Sequence, residues 1–182
     1  MGKLLSLAMG SCALAAASLG AARADDDISK HLINNPNVSG INLMGPQTNF
    51  MIKDPKVQGG MGVEVKIAAA SANPWDSAAE TQITGAIHKG DKIIGAVWLR
   101  CKNTDGTPCQ VNLRIQGNQA PWPGLIQDSD QVGGDWQMYS VQTVATQDFP
   151  RATSAMDVHL ATTKQVIDIG PMFVLNMGPG GQ

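Results

Sequence analysis

Aromatic side chains are scarce in this 182-residue chain, which has one tyrosine, three phenylalanines and four tryptophans. A core built from it must be mostly aliphatic, so the position of each tryptophan carries information. Charge is also sparse, at 15% of residues, and 13 Lys and Arg face 15 Asp and Glu. No basic cluster is present, which argues against nucleic acid or an anionic membrane surface as partner. After residue 24 no apolar run approaches the length that spans a bilayer, so membrane insertion is not expected. The three histidines, His31, His88 and His159, stand far apart, and no set of residues has metal-ligand spacing. A Gly-x-Ser-x-Gly nucleophile elbow is missing. So is any 3.6-residue apolar period after the first 24 residues, which leaves little room for helices.

The amino terminus reads as an export signal. Lys3 supplies the positive start, Leu4 to Leu19 the apolar stretch, and Ala22-Arg23-Ala24 a small-residue cleavage pattern. Cleavage before Asp25 would leave 158 residues and lower the basic count from 13 to 11 against 15 acids, a net charge of −4. The product is expected to be soluble and periplasmic or extracellular. Cys12 falls in this leader, where the alternative is a lipidated cysteine behind a poor lipobox. In an exported, oxidising setting the remaining Cys101 and Cys109 are expected to pair as a structural disulfide. So short a loop would stabilise the fold by roughly 2–3 kcal/mol in the chain-entropy model.

The rest divides into an irregular Asn-rich arm over 25–47, a β domain over 48–176 and a frayed tail over 177–182. Alternating segments are expected at 49–53, 62–69, 80–88, 92–101, 109–116, 122–127, 135–144, 155–162 and 166–175, separated by breakers such as Gly59-Gly60, Asn73-Pro74 and Gly133-Gly134. Short strands at this spacing indicate an all-β sandwich or barrel of antiparallel sheets. The alternation is clear where Met156, Val158 and Leu160 oppose Asp157 and His159.

Segments 92–101 and 109–116 read as one disulfide-clipped hairpin. Ile93, Gly95, Val97, Leu99 and Cys101 share an inward parity with Cys109, Val111, Leu113 and Ile115. With Cys101 opposite Cys109, Trp98 would stand across from Asn112 with Arg114 on a diagonal. A flat indole rimmed by amides and guanidinium suits a sugar ring, which has one apolar face and a hydroxyl edge. The same Trp could equally be a partly buried ring under a loop.

Four motifs in order resemble one family. Val57-Gln58-Gly59-Gly60-Met61-Gly62-Val63-Glu64-Val65 is similar to the early strand of CenC-type carbohydrate-binding modules, families 4 and 9 and their relatives. Asn73-Pro74-Trp75-Asp76 and then His88-Lys89-Gly90-Asp91 with Ile93 to Leu99 resemble its core. Asp135-Trp136-Gln137-Met138-Tyr139 resembles its late strand, and Val166 to Leu175 its closing strand. The resemblance implies a jelly-roll β-sandwich that binds polysaccharide or oligosaccharide without cleaving it, in a groove across one sheet, often as accessory to a glycoside hydrolase. No cofactor is implied. The family's structural calcium is doubtful, because Gly170-Pro171 stands where a paired-Asp motif usually ends the closing strand and Asp168 is no secure substitute.

The candidate sugar-binding residues are therefore Trp98, Asn112, Arg114, Trp75, Trp122, His159 and Gln82, with no catalytic and no metal-binding residue. Trp75 follows Pro74 in a polar loop, as groove platform or loop anchor. Trp122 lies between Pro121 and Pro123, a stiff segment that could present its ring at low entropy cost. Trp136 reads as core. Arg114 and Asn112 could bond vicinal hydroxyls, and His159 could add a ring nitrogen. A glycosidase would need two carboxyl groups about 5 to 9.5 Å apart, one with a raised pKa, and no acid reads as sitting in an apolar setting. A small exported glycoside hydrolase and a structural cell-envelope interaction protein remain the alternatives.

Overall fold

The computed structural model describes residues 27–179; the leader expected over 1–24 and residues 180–182 lie outside the described residues. Ten strands form two five-stranded antiparallel sheets: β1 (Asn42–Met44), β2 (Thr48–Lys53), β3 (Met61–Ile67), β4 (Ala78–Ile83), β5 (Asp91–Cys101), β6 (Cys109–Gly117), β7 (Gly124–Val132), β8 (Gln137–Val144), β9 (Ser154–His159) and β10 (Gln165–Pro179). One sheet runs β1-β4-β9-β6-β7 and the other β2-β3-β10-β5-β8. The core between them is aliphatic, with Val65, Ile83, Leu99, Leu113, Met156, Val158 and Ile169 fully buried. The expected β-sandwich and the Cys101–Cys109 disulfide are both present.

The two cysteine-bearing strands do not form a hairpin. β5 pairs with β10 and β8, β6 with β7 and β9, so the chain arches from one sheet to the other over residues 102–108. Strand parity puts the same side chains inward whether two strands lie side by side or face to face, and the alternation alone therefore could not separate a hairpin from an arch. The disulfide is an inter-sheet staple, with Cα atoms 5.4 Å apart where packed sheets usually stand about 10 Å apart.

Trp98 accordingly does not face Asn112. It pairs in register with Met138 of β8 on the outer face of the second sheet, where its indole N–H donates to Gln58 Oε1 at 3.2 Å. Trp136, expected in the core, lies half-buried on the same outer face. Its Nε1 donates to Asp54 at 3.1 Å, and the Arg100 guanidinium lies 4.8 Å from its ring centroid. Arg100 also bonds Asp54 at 2.7 Å and the fully buried Asp168. A guanidinium thus engages the carboxylate considered above as a calcium ligand.

Strands extend into both flanks of the expected β domain. Residues 42–44 of the arm form edge strand β1, and β10 continues through Met177 and Gly178 to Pro179 where a frayed tail was expected. Asn34 is the arm's anchor. Its amide donates to Thr81 Oγ1 at 3.1 Å and to the Met172 carbonyl at 2.9 Å, and its Oδ1 accepts from Val174 N–H at 2.8 Å. It therefore ties β4 of one sheet to β10 of the other.

Candidate functional site

The outer face of the first sheet is built by register. Asn42 stands opposite Glu80, Glu80 opposite Asp157, Asp157 opposite Arg114 and Arg114 opposite Gln127. One step along, Ala78 stands opposite His159, and His159 opposite Asn112. Of these outward positions, Glu80, Asp157, Arg114, Ala78 and His159 line the floor of a groove of about 570 Å³, together with Gln116. Met44 and Trp75 border it on one side; Asn118, Pro121 and Trp122 border it on the other.

Each wall is held by its own local chemistry. Trp75 rides a single 3₁₀ turn, Pro74–Asp76. Asp76 accepts from the Asn73 backbone N–H at 3.1 Å, and the Pro74 carbonyl accepts from Ala161 N–H at 3.0 Å. The indole packs edge-on to His159, centroids 6.2 Å apart, yet remains 57% exposed. Trp122 is 54% exposed and takes φ 51°, a left-handed conformation that costs a bulky residue energy. Its carbonyl accepts from Arg114 Nη2 at 3.2 Å, so a floor residue clamps the wall.

The floor contains an unusual carboxyl. Asp157 is 2% exposed, and Gln116 Nε2 donates to its Oδ2 at 2.8 Å. Burial, followed by repulsion from Glu80, pushes its pKa up to about 7. The sequence-based view that no acid sits in a pKa-raising setting is thereby corrected, since that setting depends on β4 lying beside β9. Burial, with the Arg114 charge second, pushes His159 down to about 4, so its ring is neutral near pH 7. Among the described residues, His159 Nδ1, Arg114 Nε and Asn118 Oδ1 have no hydrogen-bond partner within the protein. The described residues contain no group of three or more possible metal ligands.

Four of the seven sequence candidates meet in this groove: Trp75, Trp122, Arg114 and His159. Asn112 lies beside His159 on the same face, where its Oδ1 accepts from Ser129 Oγ at 2.8 Å. Gln82 sits at the end of β4 and donates to the Ala152 and Ser154 carbonyls, both at 3.1 Å. Trp98 is on the opposite face of the molecule. Glu80, Asp157, Gln116 and Asn118 were missed as site residues. Asp157 could have been found, since it shares His159's outward parity on one short strand.

No family model matches the sequence, and no curated protein is similar to it. Solved structures are. A CBM4 module aligns with TM-score 0.58 at 17% identity, over 80% of this chain and 99% of the module. The CBM22-1 xylan-binding domain of Paenibacillus barcinonensis Xyn10C aligns with TM-score 0.58 at 10% identity, over 82% and 94%. The chain has the fold of a carbohydrate-binding module. The second N-terminal cellulose-binding domain of Cellulomonas fimi β-1,4-glucanase C gives TM-score 0.57 at 13% identity, over 80% and 91%, in agreement with the CenC-type resemblance in the sequence. The chain also aligns with an arabinose-bound GH51 α-L-arabinofuranosidase (TM-score 0.57, 11% identity), covering 80% of itself and only 25% of that enzyme. A module-sized unit is thus what the comparisons share.

Proposed function

We propose that this protein binds a polysaccharide or oligosaccharide, without cleaving it, in the groove across β4, β9 and β6. The observation that carries the reading is the pair of exposed indoles, Trp75 and Trp122, standing on opposite walls above a polar floor. Large exposed rings are costly to leave in water and suit the apolar faces of sugars. The incompletely bonded Arg114, His159 and Asn118 suit hydroxyls, because a buried polar atom without a partner is expensive. The solved xylan- and cellulose-binding domains named above support the ligand class. Export through the leader would place the protein where polymeric glycans occur, with a glycoside hydrolase as possible companion.

The solved modules that share this fold favour binding over hydrolysis. Hydrolysis is the second reading, because Glu80 and Asp157 stand directly opposite on adjacent strands, about 5 Å apart between Cβ atoms, and Asp157 has the raised pKa that a glycosidase's acid needs.

Affinity electrophoresis in gels cast with xylan, β-glucan, laminarin or bacterial exopolysaccharide tests the proposal. The protein should be retarded in at least one gel, and Trp75→Ala and Trp122→Ala should each weaken retardation by about 0.5–1.5 kcal/mol or more. Retardation in none, or release of reducing sugar from the same polymers, would overturn it.

A further inference from the structure

We propose that Asp157, buried directly opposite Glu80 on the groove floor, is the protonated acid of the site, so that glycan binding takes up a proton and favours uncharged sugars. This inference rests on the glycan reading and adds a specificity device to it.

The pair is fixed by backbone register and not by flexible side-chain placement. β4 and β9 put the two residues directly opposite each other, and β6 puts Arg114 on the far side of Asp157. Asp157 is almost wholly shielded from water. A carboxylate buried beside a second one is costly to ionise, so Asp157 holds its proton more tightly than an exposed acid does. Arg114 does not resolve the conflict, since among the described residues it forms no ion pair within 4 Å. Instead it bonds the Trp122 carbonyl. Gln116 donates to one Asp157 oxygen only, and Asn42 approaches Glu80 Oε1 at 3.5 Å.

The groups facing the pair are few. Arg114 on β6 brings one positive charge, and His159 on β9 is neutral. Asn42 on β1 and Gln127 on β7 are uncharged, and so are Trp75 and Trp122 on the walls. With one proton on the pair, the floor sums to zero. With none, it is negative. His159 Nδ1, buried and without a partner on the same floor, is a second sign that the floor's bonding is incomplete until a ligand arrives.

A sugar laid over this floor displaces the water that solvates a doubly ionised pair. Ionisation of Asp157 is then harder in the complex than in the free groove, so by linkage the affinity falls as pH rises through the Asp157 titration. A shift of one unit between free and bound forms corresponds to about a tenfold loss. A uronate would meet a floor with no surplus positive charge, and above neutrality it would meet repulsion.

The experiment has two arms on the whole protein. In the first, carboxyl-carbon NMR of the ligand-free protein follows Asp157 from pH 4 to 9. The expected result is a step near neutrality that Asp157→Asn removes. Titration of Asp157 in the ordinary carboxylate range would overturn the retained proton. In the second arm, retardation by neutral xylan, β-glucan and laminarin and by polygalacturonate is measured at pH 5.5 and 8.5. Wild type should bind a neutral polymer about tenfold more weakly at the higher pH and polygalacturonate least. Asp157→Asn should abolish the pH dependence and Glu80→Gln should lessen it, whereas Glu64→Gln on the opposite sheet should keep it. Retardation of a neutral polymer that is equal at both pH values overturns the coupling but leaves the glycan reading standing. Retardation of no polymer at either pH overturns both.

Discussion

His159 and Asp157 sit two residues apart on β9 and titrate in opposite senses. Asp157 moves from 3.8 up to about 7 on folding, so over that window the folded state holds a proton the unfolded state has released. Its contribution to stability therefore declines as pH rises. His159 moves from 6.5 down to about 4, so the unfolded state holds the extra proton and stability rises with pH. Between about pH 4 and 6.5 the two contributions cancel. Asp157→Asn should unmask the histidine, making the protein gain stability relative to wild type by something on the order of 2 kcal/mol from pH 4.5 to 6.5. His159→Gln should show the reverse trend. Urea denaturation at the two pH values checks both, and slopes of the same sign in the two variants would contradict the assignment.

At the scale of elements, the Trp75 turn is set by what lies behind it. Gly45 has φ 89°, and a Cβ placed there would lie 1.8 Å from the Asp76 carbonyl oxygen. Gly59 shares the left-handed conformation at φ 77° but has open space around it. Gly45→Ala and Gly59→Ala should therefore both lose stability, by about 1 kcal/mol from conformation alone. Only Gly45→Ala should also weaken glycan retardation, because it must push the Pro74–Asp76 turn and its indole. Equal retardation in the two variants would show that the turn's position does not matter. The arm makes a parallel case. Asn34→Ala removes three hydrogen bonds that join β4 to β10 and should cost about 2–4 kcal/mol, measurable as a drop in Tm. How far the sequence could be read is clearest here. Alternation identified which residues of β5, β6 and β9 face inward, because that depends only on the pleat. It could not show that Asn34 plugs a gap between sheets, nor that Glu80 meets Asp157, because both depend on strands paired from distant parts of the chain. Trp75, Trp122, Arg114 and His159 were legible as residue types suited to sugars, although Trp98, expected across from Asn112 with Arg114 on a diagonal, lies on the other face.

Across the whole molecule the two outer faces differ in kind. One carries the groove. The other carries Trp98, which donates to Gln58, and a set of groups bonded to one another, Trp136, Asp54, Arg100 and Asp168. The Cys101–Cys109 staple joins these layers at the β5–β6 arch, so replacing both cysteines with serine should loosen one layer from the other without touching the groove. The expected loss is roughly 2–3 kcal/mol, with retardation preserved at temperatures where the variant remains folded. Loss of retardation in a folded variant would instead tie the groove to the arch. The division of faces also gives the most direct test of the central claim. The four tryptophans give four indole N–H resonances, two from the groove walls and two from the opposite face. Titration with a soluble fragment of the polymer that retards the protein should move the Trp75 and Trp122 signals and leave Trp98 and Trp136 in place. Movement of Trp98 and Trp136 with the groove pair unchanged would contradict the account.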